Sequence, residues 1–355
     1  MHRSSSSDGH APRMARERLV SAAEQAADAE QSVGALRPGT IGEYVGQREL
    51  IERVRIAIEA ARSRAEPMEH VLLHGPPGLG KTTLAHVIAA EMGTRAYVTS
   101  GPALTKAADL IGTLTKMQAN DVLFIDEIHR LPTAVEEYIY PAMEDFRIDF
   151  TVDSGMHSKV VTIGLRPFTL IGATTRAGLL TQALRSRFGI SHNLGFYPVE
   201  DLVTIIDRAA RLMKMPPLPA ETLSSIAERS RGTPRVALRL LRRVRDFSTV
   251  RAGGRQDADV VDRALALEGV DELGLDELDR RYLRALGTTY AGGPAGLEAI
   301  AASVGEDSQT LEDVVEPYLL QVGYLARTRQ GRRMTDAAFR HVGLTPPARA
   351  EALFD

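Results

Sequence analysis

The chain has 355 residues, 44% of them hydrophobic and 25% charged, with a formal net charge of -3 and no cysteine. Such a length asks for two or three domains in an ordinary globular composition, and the missing cysteines exclude disulfides and thiolate metal sites. There is no apolar run of membrane-span length and no signal-peptide core at the N-terminus, so a cytoplasmic protein is expected, and any nucleic-acid contact must come from local basic patches.

Residues 1–16 are rich in Ser, Gly and Arg and read as a disordered tail, within which Met14 is an alternative start. An Ala/Glu-rich stretch, 17–32, reads as helical. From His70 the pattern alternates. The runs "HVLLHG", "AYVTS", "DVLFIDE" and "FTLIGATT" have strand length, and helical stretches such as Thr82–Met92 and Ala134–Met143 lie between them. That alternation predicts an α/β domain with a parallel sheet covered by helices, over residues 17–197. Within it, "FRIDFTVDSGMHSKVVTIGL" reads as a hairpin turning at "DSG". After "FYPVEDL" the pattern is helical only, giving a small helical domain over 198–269. Residues 270–355 form a third domain. Its helices are expected near Asp276–Leu286, Leu297–Ser303 and Leu311–Val322, followed by a hairpin turning at Gln330–Gly331.

"GPPGLGKT", Gly75 to Thr82, matches the phosphate-binding loop G-x-x-x-x-G-K-[ST] and sits between a strand and a helix, as that motif requires. Its glycines, Gly78 and Gly80 among them, let backbone N–H groups approach phosphate oxygens, and the helix N-terminus adds partial positive charge. Lys81 is placed on the β- and γ-phosphates, the Thr82 hydroxyl on Mg²⁺ and Thr83 on the α-phosphate, with ATP as the cofactor. Four apolar residues in "DVLFIDE" then deliver Asp126 and Glu127 to a strand end. Asp126 suits the Mg²⁺ shell, and Glu127 suits polarisation of the attacking water. Thr174 and Thr175 close the strand "FTLIGATT", where a threonine can orient water or sense the γ-phosphate. Arg235 in "RGTPR" falls just inside a new helix and suits a phosphate sensor from the helical domain. Arg185 and Arg187 in "LRSRFGI" lie beyond the last sheet strand. With the home site already furnished, either can serve a neighbour's γ-phosphate if subunits pack head-to-tail in a ring. Arg187, directly before Phe188, is preferred.

The ordered set "HGPPGLGKTTLAHVIAAEMG", "FIDEIHRL", "PAMEDFRIDF", "GATTRAG", "LRSRFGI", "RGTPR" and "VEPYLLQVGYLARTRQGR" resembles the AAA+ ATPases. Within them it is similar to the RuvB family of Holliday-junction branch-migration motors, from about Leu36 to Pro347. The resemblance implies a homohexameric ring with active sites at subunit interfaces. It implies translocation of duplex DNA at Holliday junctions in recombination and repair, with the RuvA tetramer and the RuvC resolvase as partners. It assigns adenine-side contacts to Leu36, Arg37 and Tyr197, and adds Glu144, Asp145 and Phe146 to the nucleotide set. Sensor roles go to Thr175 and Arg235, and the finger to Arg187. The chain departs from the family pattern at Gly39, Ala183 and Ser308.

The resemblance also makes the third domain a winged helix. Arg327, Arg329, Arg332 and Arg333 crowd its hairpin, with no acid near them in the sequence before Asp336. Arg327 and Arg332 are taken as phosphate contacts, giving salt-dependent, sequence-independent DNA binding. The basic run "RLLRRVR", Arg239 to Arg245, is amphipathic and reads as a packed helix with solvated arginines. The Asp149-bearing hairpin is the expected dock for RuvA. A clamp-loader-like ATPase switch and a DNA-binding regulator with a vestigial nucleotide fold remain alternatives. The wing argues against the first and the Asp126–Glu127 pair against the second.

Overall fold

A computed structural model describes residues 36–152 and 159–347. The expected tail 1–16, the helix 17–32 and the "DSG" turn fall outside the described residues. Leu36 (buried) and Arg37 (half-buried) belong to an N-terminal unit ending at Pro38; the unit from Gly39 onward carries everything below.

Five short runs form one parallel sheet: β1 (Val71–His74), β2 (Ala96–Ser100), β3 (Val122–Asp126), β6 (Thr169–Thr174) and β7 (Ile190–Asn193). Their order is β2-β3-β6-β1-β7. The central strands β1, β3 and β6 are buried almost throughout, which is why they read as unbroken apolar runs rather than alternating ones. Helices α1 (Arg48–Arg64), α2 (Lys81–Met92), α3 (Ala107–Leu114) and α4 (Thr133–Glu144) accompany them. One core gathers Leu123, Ile125, Val135, Ile139, Phe168 and Phe188. The hairpin β4 (Arg147–Val152) and β5 (Lys159–Gly164) pairs antiparallel as a separate two-stranded sheet. A single turn of helix, α5 (Gln182–Arg185), leads into β7.

Helices α6 (Val199–Leu212), α7 (Ala220–Glu228), α8 (Pro234–Arg251) and α9 (Ala258–Leu267) follow. The run Arg239–Arg245 lies in α8, which buries Leu240, Leu241 and Val244 and leaves its arginines outside the core. The last segment has its own core around Tyr282, Leu286, Leu311 and Leu319. It contains α10 (Glu277–Thr288), α11 (Leu297–Val304), a short α12 (Ser308–Thr310), α13 (Glu316–Gln321), the wing strands β8 (Leu325–Thr328) and β9 (Gly331–Met334), and α14 (Asp336–His341). The expected continuous helix at Leu311–Val322 is divided: Leu311–Val315 forms a π-helical turn before α13. Pro317 explains the break, since it has no N–H for the helical ladder and crowds the preceding turn.

Candidate active site

Strands β1, β3 and β6 run parallel, so their C-terminal ends open onto one edge of the sheet. His74, Asp126 and Thr174 end there, and the phosphate loop begins at the next residue after His74. Gly78 and Gly80 hold left-handed backbone, φ 83° and 95°. A Cβ on Gly80 would lie 2.8 Å from the Tyr44 hydroxyl, and one on Gly78 would lie 3.0 Å from Cβ of Arg235. The loop therefore needs glycine both for its turn and for close approach of neighbouring side chains.

Lys81 opens α2 and is 7% exposed. Its ammonium folds back on the loop, donating to Gly75 O (2.9 Å) and Pro76 O (2.8 Å). Burial pulls it from its ordinary value to about 8; Asp126 acts against the shift and the Arg235 guanidinium adds to it. These three charges thus feel one another at one point. Thr82 and Thr83 follow in the first turn of α2, both half-buried. Asp126 accepts from Glu127 N at 2.9 Å. Glu127 itself sits at φ 46°, a left-handed conformation that is costly for a residue with a Cβ. It turns its carboxylate off the strand line and into an ion pair with Arg130 at 2.9 Å.

Arg235 enters from α8. Its N–H donates to Gly78 O at 3.3 Å, so the helical segment rests directly on the loop. Tyr197 is buried on the other side. Its hydroxyl lies within hydrogen-bond distance of Leu79 O (3.2 Å) and the Tyr44 hydroxyl (3.3 Å), and burial raises both phenols. Tyr44 is a site residue that the sequence reading did not find. Thr174 is fully buried, accepts from Arg176 N at 2.9 Å and lies 2.8 Å from His129 Nδ1. Burial lowers His129, favouring the neutral ring. Thr175 lies one residue further on. It lines a cleft of about 570 Å³ shared by Pro76, Pro77, Arg176, Glu312, Asp313 and Arg327. Across this cleft Arg176 donates to Asp313 Oδ1 (Nε 3.0 Å, Nη2 2.9 Å) and to Glu312 Oε2 (3.0 Å), joining the sheet segment to the π turn of the last segment.

Arg187 is elsewhere. It precedes Ile190, which pairs with Val71 at the start of β1, whereas the phosphate loop follows His74 at the end of that strand. The two sites face opposite edges of the sheet. Arg187 lies 4.5 Å over the Tyr140 ring, donates to Ala183 O (2.6 Å) and has Nε 3.1 Å from Glu144 Oε1. Arg185 differs: its charge helps lower His74, after burial, at the phosphate-loop end. Glu144, Asp145 and Phe146 do not join Lys81 and Asp126 in the same protomer. Met143 O contacts His70 Nε2 at 3.1 Å just before β1, and Phe146 packs edge-on against Phe168 just before β6. Asp145 pairs with Arg147 at 3.3 Å.

The wing pairs two of its arginines with acids that lie apart from it in the sequence. Arg327 and Arg332 stand directly opposite each other across β8–β9. No acid precedes them closely in sequence, yet the fold brings Glu316 beneath both. Glu316 is wholly buried and accepts from Arg327 Nε (2.7 Å), Arg332 Nε (2.9 Å) and the Tyr282 hydroxyl (2.8 Å). Glu312 Oε1 adds a weaker pairing at 3.8 and 3.5 Å. Both arginines thus pair with an internal carboxylate, while Arg327 keeps 42% of its side chain exposed. Arg329 and Arg333 are exposed, and neither pairs with an acid among the described residues.

The donor set fits a magnesium ion. One hydroxyl and one carboxylate, Thr82 and Asp126, flank the loop. Among the described residues no cluster of three or more His, Cys, Asp or Glu could cage a metal alone. A hard cation that takes its remaining oxygens from phosphate and water needs no such cage. Among the described residues no helix is long and apolar enough to cross a membrane.

Three family models match the chain: the Holliday junction DNA helicase RuvB P-loop domain over residues 36–194, the RuvB AAA lid domain over 197–271 and the RuvB C-terminal winged helix domain over 272–343. A Holliday junction branch migration complex subunit RuvB from Desulfosudis oleivorans is 55% identical over 309 residues, covering 87% of this chain and 90% of the relative. The solved Thermotoga maritima RuvB Holliday junction branch migration motor superposes with a TM-score of 0.80 at 49% identity, covering 88% of this chain and 100% of that one. A mutant form of the same protein superposes with a TM-score of 0.82 at 49% identity, covering 88% and 99%.

Proposed function

This chain belongs to the RuvB family of AAA+ P-loop ATPases, and from that premise we propose how its residues drive Holliday-junction branch migration. ATP binds at the C-terminal edge of the sheet. Lys81 leaves the Gly75 and Pro76 carbonyls for the β- and γ-phosphates, and Gly78, Gly80 and Thr83 supply loop and helix N–H groups and a hydroxyl. Thr82 and Asp126 would hold Mg²⁺, which would supply charge neutralisation for the phosphates. Glu127 takes the proton of the attacking water. Arg235, already seated on Gly78, couples the helical segment to the γ-phosphate. Thr174 orients His129 and the start of the Arg176 segment, and Thr175 faces the loop. Tyr197 lies on the adenine side.

One observation carries the reading of an assembled motor. Arg187 stands at the edge of the sheet opposite its own phosphate loop, separated by the length of β1, about 10 Å at ~3.3 Å per residue. A finger there serves the next subunit, which makes active sites interfacial and favours a closed homohexamer. Glu144, Asp145 and Phe146 share that edge and face the neighbour's nucleotide. Duplex DNA is gripped through phosphates by the wing, RuvA docks on the β4–β5 hairpin, RuvC follows on the same junction, and the assembly works in the cytoplasm.

The test is migration of a synthetic four-way junction with ATP and Mg²⁺, with and without RuvA. ATP-dependent conversion to two duplexes, strengthened by RuvA, is expected. ATPase activity without any junction conversion, with RuvA present, would refute the motor reading.

A further inference from the structure

Helix α4 presents Glu136, Tyr140 and Glu144 at intervals of four residues, hence on one face. All three touch the segment 181–187. Glu136, itself buried, accepts from both the Tyr140 hydroxyl and the Thr181 hydroxyl. Thr181 in turn caps α5 by accepting from Leu184 N at 3.1 Å. Tyr140 offers its ring face to the Arg187 guanidinium at 4.5 Å. Glu144 lies 3.1 Å from Arg187 Nε, and Ala183 O accepts from Nη1. The turn is fixed at one end by a buried carboxylate and the guanidinium is laid flat at the other.

We propose that Tyr140 is a positioning residue for the Arg187 finger, so that its loss damages hydrolysis in the neighbouring subunit and not in its own. The proposal rests on the reading of Arg187 as a finger acting in trans. A guanidinium with several rotatable bonds must be held in one orientation to meet charge that develops only in the transition state. The aromatic face does this without neutralising the cation, whereas a carboxylate alone would compete with the phosphate. Nothing in the sequence neighbourhood of either residue links them, since 47 positions separate Tyr140 from Arg187.

The test uses the full chain. Tyr140→Leu should assemble and bind a fluorescent ATP analogue as the wild type does. Its kcat should fall by about three- to thirtyfold, as expected for one cation–π contact, with KM little changed. Tyr140→Phe, which keeps the ring face, should retain most of the rate. Mixing then assigns the lesion. Tyr140→Leu with Lys81→Ala should recover activity, because intact pockets meet intact fingers at some interfaces. Tyr140→Leu with Arg187→Ala should not recover. The reverse pattern, or a full rate for Tyr140→Leu alone, overturns the proposal. A separate control mixes Arg187→Ala with Lys81→Ala. Failure of that pair to recover despite co-assembly defeats the trans finger itself, and the proposal falls with it. If Tyr140→Leu does not assemble, Tyr140→Met carries the same arms.

Discussion

Replacing Glu316 by Gln removes the negative charge beneath the wing and leaves two guanidiniums facing a neutral amide. Glu316 is fully buried, and its carboxylate accepts from Arg327, Arg332 and Tyr282 at 2.7, 2.9 and 2.8 Å. Removing one partner of a buried ion pair costs about 3–5 kcal/mol, because the other is left uncompensated. Arg327 is 42% exposed, so water recovers part of its share, while Arg332 at 18% recovers less. The lower end, about 3 kcal/mol, is the working figure. At about 1.4 kcal/mol per factor of ten, the wing's local opening constant should rise, and its exchange protection fall, by roughly a hundredfold. Amide hydrogen exchange across Leu325–Met334, followed by mass spectrometry on the full chain, reads this directly. Glu66→Gln is the control: it breaks an ion pair with Arg64 in which both partners are more than half exposed, and should leave protection unchanged. DNA binding should move the other way. The freed arginines become available to phosphate, steepening the slope of log affinity against log salt by up to about two units. Unaltered protection in β8–β9 would refute the view that Glu316 holds the wing.

The exposed arginines give the complementary result: Arg329→Ala with Arg333→Ala should lower affinity about equally for unrelated duplexes and flatten the salt slope by about two units, and an unchanged slope would remove them from the interface. Lys81 is held at about 8 by burial, and ATP binds its protonated form. Apparent affinity for a fluorescent ATP analogue should therefore be flat below pH 8 and fall as pH rises above it, approaching tenfold per unit, whereas a profile flat to pH 9.5 would contradict the placement of its ammonium on phosphate. Glu127→Gln should bind ATP but hydrolyse at least a hundredfold more slowly, accumulating nucleotide-bound rings measurable by light scattering; loss of ATP binding instead would give Glu127 a structural or metal role.

Legibility in the sequence followed the range of the contacts. The phosphate loop and the Asp126 strand end are contiguous motifs whose chemistry depends on backbone geometry a few residues long. Helix α4 was expected at Ala134–Met143 and spans Thr133–Glu144, an ordinary difference in fraying ends. Glu316 was hidden because its partners arrive from a hairpin 11 and 16 positions later, and an acid in an apolar helix gives no sign of which cations it will meet. Tyr44 was hidden more deeply: it meets Tyr197 across 153 positions, and nothing local marks it. Arg176 stands directly beside the expected sensor, but its acidic partners lie 136 and 137 positions away. The π turn had a visible cause in Pro317, though not a visible location.

The placement of Lys81 and Arg187 on opposite edges of one sheet also constrains arithmetic. With a finger that serves only the next molecule, a solitary copy owns two halves of different sites and no whole one. An open file of n copies contains n − 1 complete sites, leaving a bare pocket at one terminus and an idle arginine at the other. Closure into a ring converts both loose ends into one more working interface. On that proposed reading, turnover per molecule should rise with protein concentration toward a plateau reached only when no terminus remains, so that dilution alone would act as an off switch before any pocket has changed shape.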